Sequence, residues 1–200
     1  LCPDCRLQQR LIWRPELHLF QRKSDKTGNT ILSMFAPEAP CTVYETEEWW
    51  KDDWDALEYG RDVDFNRPFF DQFQELLQTV PLAALSEASN VNSDYVNSAS
   101  WNKNCYLLAG ANHNEDCYYG NFINYCKDCC DCSFIDHCEL CYECIDCAYC
   151  YNLRFSQNCS NCSDSAFLFN CRSCKLCFGS VNLVEREYVW INKQLTEEEY

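Results

Sequence analysis

Between Cys105 and Leu183, every third residue is small or apolar apart from Asn114, and the two positions between hold most of the polar and aromatic side chains. An α-helix repeats its apolar stripe every 3.6 residues and a strand alternates every two, so neither produces a period of three. Collagen has that period but needs glycine at each third position, and this chain has five glycines in all. The pattern therefore predicts one inward-facing residue in three.

Cysteine strengthens this prediction and supplies a second period. Of the 16 cysteines in the second half of the chain, 15 lie in the inward frame, and Cys130 alone lies outside it. Cys126, Cys138 and Cys150 are 12 residues apart, so 12 residues make one coil with four inward positions. This spacing predicts a narrow β-solenoid over about 92–184, with coils stacked about 4.8 Å apart. Cysteine suits so narrow a core by its size alone.

The outward positions repeat with the same period of 12. Stacked rings and amides are favoured between neighbouring strands of a repeating sheet. The columns expected from this repeat are Phe122 over Phe134; Phe155 over Phe167; Tyr125, His137 and Tyr149; and Asn158, Asn170 and Asn182.

The first half of the chain has a different organisation. Alternation around a glycine turn predicts a β-hairpin from residues 17–21 and 30–35. Asn66 and Pro68 can open a helix at about 67–80, whose apolar face we expect to cap one end of the solenoid. The sequence thus predicts a mainly β protein in four segments. They are a partial or degenerate zinc ribbon with the β-hairpin (1–48), a Trp-rich acidic segment with the capping helix (49–91), the Cys-lined β-solenoid (92–184), and a terminal strand with the start of a helix (185–200).

Two groups of cysteines are candidate metal ligands. Cys2 and Cys5 form a CxxC knuckle, a common zinc-ligand spacing, and Cys41 and His18 are the nearest further candidates. In the solenoid, neighbouring columns on successive coils bring four sulfurs together, which suits zinc or an iron–sulfur cluster. The ferredoxin spacing is not matched, so zinc is the expected metal and iron–sulfur the less favoured one. The two solenoid quartets are Cys126, Cys129, Cys138 and Cys141, and Cys147, Cys150, Cys159 and Cys162.

Three states of the solenoid cysteines stay open at this point. They can be protonated thiols that fill the core, metal thiolates, or disulfides, since stacked Cα atoms lie within disulfide range. Nineteen cysteines without a visible export signal favour a reducing, cytoplasmic compartment. A secreted protein with disulfides is the alternative if a leader has been removed.

The two ends of the chain differ in net charge and therefore favour different partners. The net charge is −15, divided into +3 for residues 1–35, −11 for 36–100 and −7 for 101–200. An acidic solenoid repels nucleic acid and anionic membranes, whereas the basic N-terminal end is a candidate nucleic-acid contact. The sequence has no run of 18 apolar residues, so no membrane span is expected. The basic residues of the N-terminal end are Arg6, Arg10, Arg14, Arg22 and Lys23.

The sequence shows few signs of enzymatic chemistry. It has no P-loop, GxSxG or GxGxxG motif, and His137 is expected to point away from the neighbouring Cys138. The expected function is therefore a non-enzymatic scaffold or interaction module with a protein partner. A metal-thiolate protein for storage or electron transfer is the alternative. A thiol oxidoreductase is the third, with Cys130 as its solenoid candidate.

Several stretches also resemble an uncharacterised family of Cys-rich, zinc-ribbon-containing proteins from candidate-phyla bacteria and metagenomes. The most specific are WWKDDWDALEYGRDVDFNRPFFDQF (49–73) and LCYECIDCAYCYNL (140–153), and the similarity extends over nearly the whole chain. The resemblance implies a zinc ribbon with a further CxxC ahead of the segment that matches Cys2. It carries no catalytic residue over to this chain.

Overall fold

The computed structural model describes residues 2–11 and 16–200; Arg14 and the side chain of Arg10, two of the basic residues named above, lie outside this description. The chain divides into two compact units, Leu1–Ser86 and Glu87–Tyr200. The second is a solenoid of about 12 residues per turn, so the mainly β, Cys-lined solenoid predicted from the sequence is confirmed. No helix in the described residues has the length and apolar character needed to cross a bilayer.

The first unit contains the predicted hairpin and helix. The hairpin strands pair antiparallel, with Phe20 opposite Ser33. The helix begins after Pro68, but Asn66 is not its cap, because the Asn66 side chain donates to Asp64 Oδ1 at 3.1 Å. The expected capping of the solenoid by this helix stays a prediction. The elements are α1 (Pro3–Leu11), β1 (Phe20–Lys23), β2 (Thr30–Ser33), β3 (Val43–Tyr44), α2 (Thr46–Trp49), a 3-10 helix (Ala56–Tyr59), α3 (Phe69–Thr79) and β4 (Leu82–Ala83).

Two tryptophans organise the acidic segment between β3 and α3. The rings of Trp49 and Trp54 lie 5.6 Å apart, and Trp54 also contacts Tyr44 at 6.0 Å. Trp49 Nε1 donates to the carbonyl of Pro81 at 2.8 Å, and Trp54 Nε1 donates to the carbonyl of Trp49 at 2.8 Å. Half-buried indoles with their N–H satisfied are effective anchors. Trp50 does not share this role, since it is 64% exposed.

In the second unit, each coil pairs in parallel with the coil 12 residues later, as Tyr106 does with Tyr118. This pairing runs from residue 87 to residue 190, further at both ends than the 92–184 expected from the cysteines. The strands are β5 (Glu87–Ala88), β6 (Ala99–Ser100), β7 (Tyr106–Ala109), β8 (Tyr118–Asn124), β9 (Ser133–Asp136), β10 (Tyr142–Ile145), β11 (Tyr151–Gln157), β12 (Ser163–Ala166), β13 (Lys175–Phe178), β14 (Glu187–Trp190) and the antiparallel β15 (Lys193–Gln194).

The end of the chain follows the sequence pattern in part. The expected terminal strand is β14, which forms the last parallel rung on β13. Thr196 N donates to Glu199 Oε2 at 3.0 Å and Glu199 N donates to Thr196 Oγ1 at 3.3 Å, the reciprocal bonds of a capping box. Residues 197–199 nevertheless form a turn and not a helix.

A left-handed backbone conformation recurs at every third residue and shapes the coil. From Ser89 to Ile191, each residue that precedes an inward position has a φ between 46° and 61°, a region that residues other than glycine rarely occupy. We call these the corner positions, since four of them close one coil. The inward residues line the bore, and the residues that follow them are bridging positions, which pair with the next coil.

The corner geometry predicts different tolerance at two adjacent exposed residues. Asn158 is a corner residue with a φ of 55°, and Gln157 is a bridging residue. Asn158→Val places a β-branched side chain in the left-handed region and should lower the free energy of unfolding by about 1–2 kcal/mol. Gln157→Val, the matched control, should change it by less than about 0.5 kcal/mol, because valine suits extended backbone. Urea titrations followed by circular dichroism measure both variants, and equal effects would contradict the corner assignment.

Candidate functional site

The bore is a continuous column of cysteine, serine, asparagine and aliphatic side chains. Each of its 15 cysteines is at most 3% exposed, and all are free thiols. The cysteines of both predicted quartets are among them, so the prediction that these side chains share one interior is confirmed. Cys130, the cysteine outside the frame, lies at a bridging position and faces away from the bore.

Backbone amides explain why the bore favours side chains that can accept a hydrogen bond. Bridging and corner amides donate to backbone carbonyls of neighbouring coils. A bore amide points instead to the bore side chain one coil earlier: Cys126 N donates to Asn114 Oδ1 at 2.9 Å, and Leu168 N donates to Ser156 Oγ at 3.0 Å. Leaving a buried amide without an acceptor costs about 1–3 kcal/mol. Polar bore residues therefore stabilise the stacking of coils.

Cysteine plays the same part through its sulfur. The amide of Cys138 donates to the sulfur of Cys126, while Cys126 Sγ–H donates to the carbonyl of Asn124 at 3.1 Å. Cys144 Sγ likewise lies 3.4 Å from the carbonyl oxygen of Tyr142 and 3.3 Å from that of Leu153 in the next coil. Both thiols therefore link adjacent coils, and the Cys126 thiol does so with its proton and its lone pair both engaged.

Burial disfavours the thiolate form of the bore cysteines. Burial raises the pKa of Cys177 to about 11 from an ordinary value of 9.0, and it also raises the pKa values of Cys171 and Cys174. Among stacked thiols, hydrogen bonds to neighbouring thiols raise the pKa of Cys126 and lower that of Cys129, as expected for donors and acceptors within one network. Since the thiolate is the nucleophile, the buried thiols whose pKa is raised, such as Cys126 and Cys177, are inert packing groups.

The two predicted quartets have no metal-site geometry. In the described ranges, 2–11 and 16–200, no group of three or more His, Cys, Asp and Glu side chains is arranged to hold a metal ion. The first-quartet sulfurs donate to backbone carbonyls. Metal binding there would require the thiols to lose their protons and these hydrogen bonds. Zinc or iron–sulfur in the bore stays a prediction.

The first CxxC lies at the start of α1, whereas the ribbon hypothesis expects a β knuckle. Cys2 and Cys5 are exposed with their sulfurs 3.3 Å apart, and the Cys5 amide donates to Cys2 Sγ at 3.4 Å, which lowers the pKa of Cys2. Cys41 lies 4.0 Å from the Arg22 guanidinium, and His18 is exposed. Neither joins the pair in a metal-holding group within the described part of the chain. Zinc at this knuckle also stays a prediction.

Cys130 has the wrong acidity for a redox nucleophile. Burial and a hydrogen bond to Asp131, with Cys130 Sγ 3.4 Å from Asp131 Oδ2, raise the pKa of Cys130 to about 11. Reactive cysteines combine exposure with a lowered pKa. This acidity disfavours Cys130 as a redox nucleophile, and the oxidoreductase hypothesis stays a prediction.

The basic N-terminal end is partly used within the first unit. Arg22 is 8% exposed, and its guanidinium donates to Asp25 Oδ2 at 3.1 Å and to the carbonyl of Ala36 at 3.3 Å. Lys23 Nζ donates to Thr30 Oγ1 at 2.9 Å. Because Arg22 is buried and paired, it is a structural residue, and a nucleic-acid contact at this end stays a prediction that depends on its other basic residues.

One row of exposed corner side chains forms an uninterrupted aromatic column, which consists of Trp101, His113, Tyr125, His137 and Tyr149. Successive ring centroids are 4.9, 4.8, 4.7 and 5.3 Å apart, and the first three pairs lie within 19° of parallel. The 12-residue repeat predicts the last three members from their place in the cysteine run. The first two members precede the dense cysteine run and were not predicted, although the same 12-residue spacing identifies them.

Polar side chains border the aromatic column on both sides. Lys103 Nζ pairs with Glu115 Oε1 at 2.7 Å on one side. On the other, Asn112 Nδ2 donates to Asn124 Oδ1 at 3.3 Å, and Asp136 Oδ2 lies 2.8 Å from Nδ1 of His137. The column is therefore an exposed apolar ridge between two polar rows.

A comparison of the sequence with known protein families and with curated proteins found no match. The resemblance to a Cys-rich, zinc-ribbon-containing family stays an expectation. The function is therefore inferred from the structure, in which the bore is buried and the exposed side-chain rows are the surface available to a partner.

Proposed function

We propose that this protein is a non-enzymatic scaffold whose solenoid binds a protein partner through the aromatic column. The observation that supports the proposal most is the exposure of large rings in one straight row, with Trp101 56% and Tyr149 61% exposed. Aromatic side chains are enriched in protein interfaces and supply most of their strongest contacts. Contiguous apolar surface of this kind is uncommon on a protein without a partner.

The row is also ordered before any partner arrives. Its corner residues have backbone amides bonded to the neighbouring coil, as in His137 N to Asn124 O at 3.0 Å, and each ring is held by the rings above and below. A partner would therefore lose little free energy in ordering these side chains. The net charge of −7 over residues 101–200 favours a partner with a basic surface, which the acidic solenoid would attract and orient.

Removing rings from the column tests the proposal. Trp101, Tyr125 and Tyr149 can each be replaced by Asn, which this corner row already contains at Asn161. The partner is first identified by cross-linking to the wild-type chain in cells, and its affinity is then measured by calorimetry. The triple variant should bind at least tenfold more weakly, since interface aromatics often contribute 2 kcal/mol or more each, an order-of-magnitude figure.

A matched variant distinguishes specific binding at the aromatic column from nonspecific hydrophobic binding. Phe134, Phe155 and Phe167 are exposed corner rings in other rows, and their replacement by Asn should leave the affinity within about twofold. Equal losses in both variants, or a wild-type chain with no saturable partner, would refute the proposal. Elemental analysis addresses the alternative, because more than about one zinc or iron per chain would favour a metal-thiolate protein.

A further inference from the structure

We infer that a groove on a different face of the solenoid binds a small planar carboxylate, with Arg154 as the residue that receives the anion. The groove consists of two adjoining concavities of about 500 and 250 Å³ that share Asn152 and Arg154. Their combined size is within the range of small-molecule sites. This ligand site is separate from the aromatic column, so its experimental test is independent of the proposed function.

The groove follows from the three-residue pattern of the coil. A bore residue turns its side chain inward, so only its backbone lies at the outer surface. This backbone is the floor of a groove whose walls are the corner side chain before it and the bridging side chain after it. Here the floor includes the bore residues Cys141, Ser165 and Cys177. Ala166, a bridging residue with a short side chain, lines the smaller concavity and pairs with Arg154 of the preceding coil.

Arg154 is a cation without an internal counter-ion at the centre of this groove. It is exposed, and no carboxylate of the described residues lies within ion-pair distance of its guanidinium, whereas Lys26, Arg61, Arg67 and Lys103 all pair with acids. The nearby Asp164 is engaged elsewhere, since Asn152 Nδ2 donates to Asp164 Oδ1 at 3.0 Å. A guanidinium fork matches the two oxygens of a carboxylate, and such bidentate bonds are among the strong ones.

The walls determine the rest of the ligand. Beside Arg154, Leu140, Tyr142 and Phe155 form an apolar side, with the two rings in edge contact at 5.3 Å. A flat aromatic ring packs well on such a wall. Asp128 lines the same concavity, and with Asp164 at the other side of Arg154 it would repel a dianion. A singly charged carboxylate is therefore favoured over a phosphate monoester.

Calorimetric titration with 2-naphthoate tests the inference on the full chain. We expect saturable binding of one molecule per chain, and 2-naphthamide, which keeps the ring but lacks the charge, should bind at least tenfold more weakly. Arg154→Gln should weaken naphthoate binding at least tenfold, the effect expected for a lost charged hydrogen-bonded pair. Arg172→Gln is the matched control, because Arg172 is an exposed bridging arginine outside the groove, and its affinity should stay within twofold of the wild type.

Two results would overturn the inference. Naphthoate that binds equally well to the Arg154→Gln variant must occupy another surface, such as the aromatic column. A wild-type chain that shows no saturable binding at millimolar naphthoate has no such site. Chemical-shift mapping locates the ligand independently, and shifts at Tyr142 and Phe155 that disappear in Arg154→Gln would support the groove.

Discussion

Raising the pH from 8 to 10.5 is expected to unfold the C-terminal coils of the solenoid. Hydrogen bonds to the stacked Cys138 and Cys147, respectively, raise the pKa values of Cys150 and Cys159 to about 12, and burial raises the pKa of Cys177 to about 11. These thiols stay protonated in the folded chain while the unfolded chain ionises near the ordinary value of 9.0. Their contribution to stability is therefore complete below pH 9 and is lost as the pH rises towards 11–12.

The size of the expected loss is large for a protein of this length. At pH 10, each such thiol lowers the free energy of unfolding by about 1.4 kcal/mol, so the three together remove about 4 kcal/mol from a total that is typically about 5–15 kcal/mol. Circular dichroism during a pH titration, combined with pulsed alkylation and mass spectrometry, measures where the fold opens. The cysteines from Cys150 to Cys177 should become accessible to alkylation at the pH at which these coils unfold, before the rest of the solenoid opens.

A serine variant provides the control for this titration. The Ser156 and Ser165 hydroxyls accept hydrogen bonds from bore amides, and serine does not ionise in this pH range. Replacing Cys150, Cys159 and Cys177 by Ser should therefore keep the fold and reduce its pH dependence. A variant that unfolds at the same pH and with the same steepness as the wild type would show that thiol ionisation is not the cause.

The period of the bore residues was enough to predict the architecture, because it depends on side-chain direction alone. A side chain that faces the bore must be small or apolar whatever its neighbours are. The residue pattern from Cys105 to Leu183 was therefore enough to predict the 12-residue coil and its stacked columns. Local caps depend on competing polar contacts. Asn66 was expected to cap α3, yet its amide donates to Asp64 instead.

The left-handed corner positions also have a signal in the sequence, which the division into inward and outward positions alone does not show. Between residues 89 and 191, the corner frame contains no Lys or Arg, and Ile191 is its one β-branched residue. Valine and lysine occur in the bridging frame, for instance at Val181 and Lys175. Left-handed backbone disfavours β-branched side chains and favours Asn and Asp, so this difference in composition is the signal.

The reason for cysteine in the bore was predicted incompletely. Size explains why Cys fits, but alanine is smaller and occurs in the bore only at Ala99 and Ala111. The structure shows that a bore side chain accepts the amide of the next coil, as Asn114 does for Cys126. Sequence spacing reveals which residues stack, but it does not show which backbone amides lack a partner, and the preference for Cys, Ser and Asn follows from that second fact.

Replacing Gly120 by valine is expected to cause the largest loss of stability of any single substitution considered. Gly120 lies in the bore, and a Cβ atom added to it would lie 2.5 Å from Ile123 Cδ1 and 2.9 Å from Leu108 Cδ2. Both neighbours are 1% exposed, so their side chains would have to shift within the packed interior. Overpacking a dense interior costs about 1–3 kcal/mol and occasionally more, so Gly120→Val should lower the free energy of unfolding by about 3 kcal/mol in a urea titration.

A double mutant shows whether the expected loss arises from this contact. Ile123→Val removes the Cδ1 atom nearest to the new side chain and alone should cost about 0.5–1.5 kcal/mol. Combined with Gly120→Val, it should recover stability, with a coupling energy of at least about 1 kcal/mol. Gly179→Ala is the backbone control: its φ is 60° and the added Cβ meets Ile191 only at 3.4 Å, so about 1 kcal/mol of left-handed strain is expected there. If Gly120→Val unfolds at the wild-type urea concentration, or if Ile123→Val gives no relief, the bore is not packed as tightly as the 12-residue coil requires.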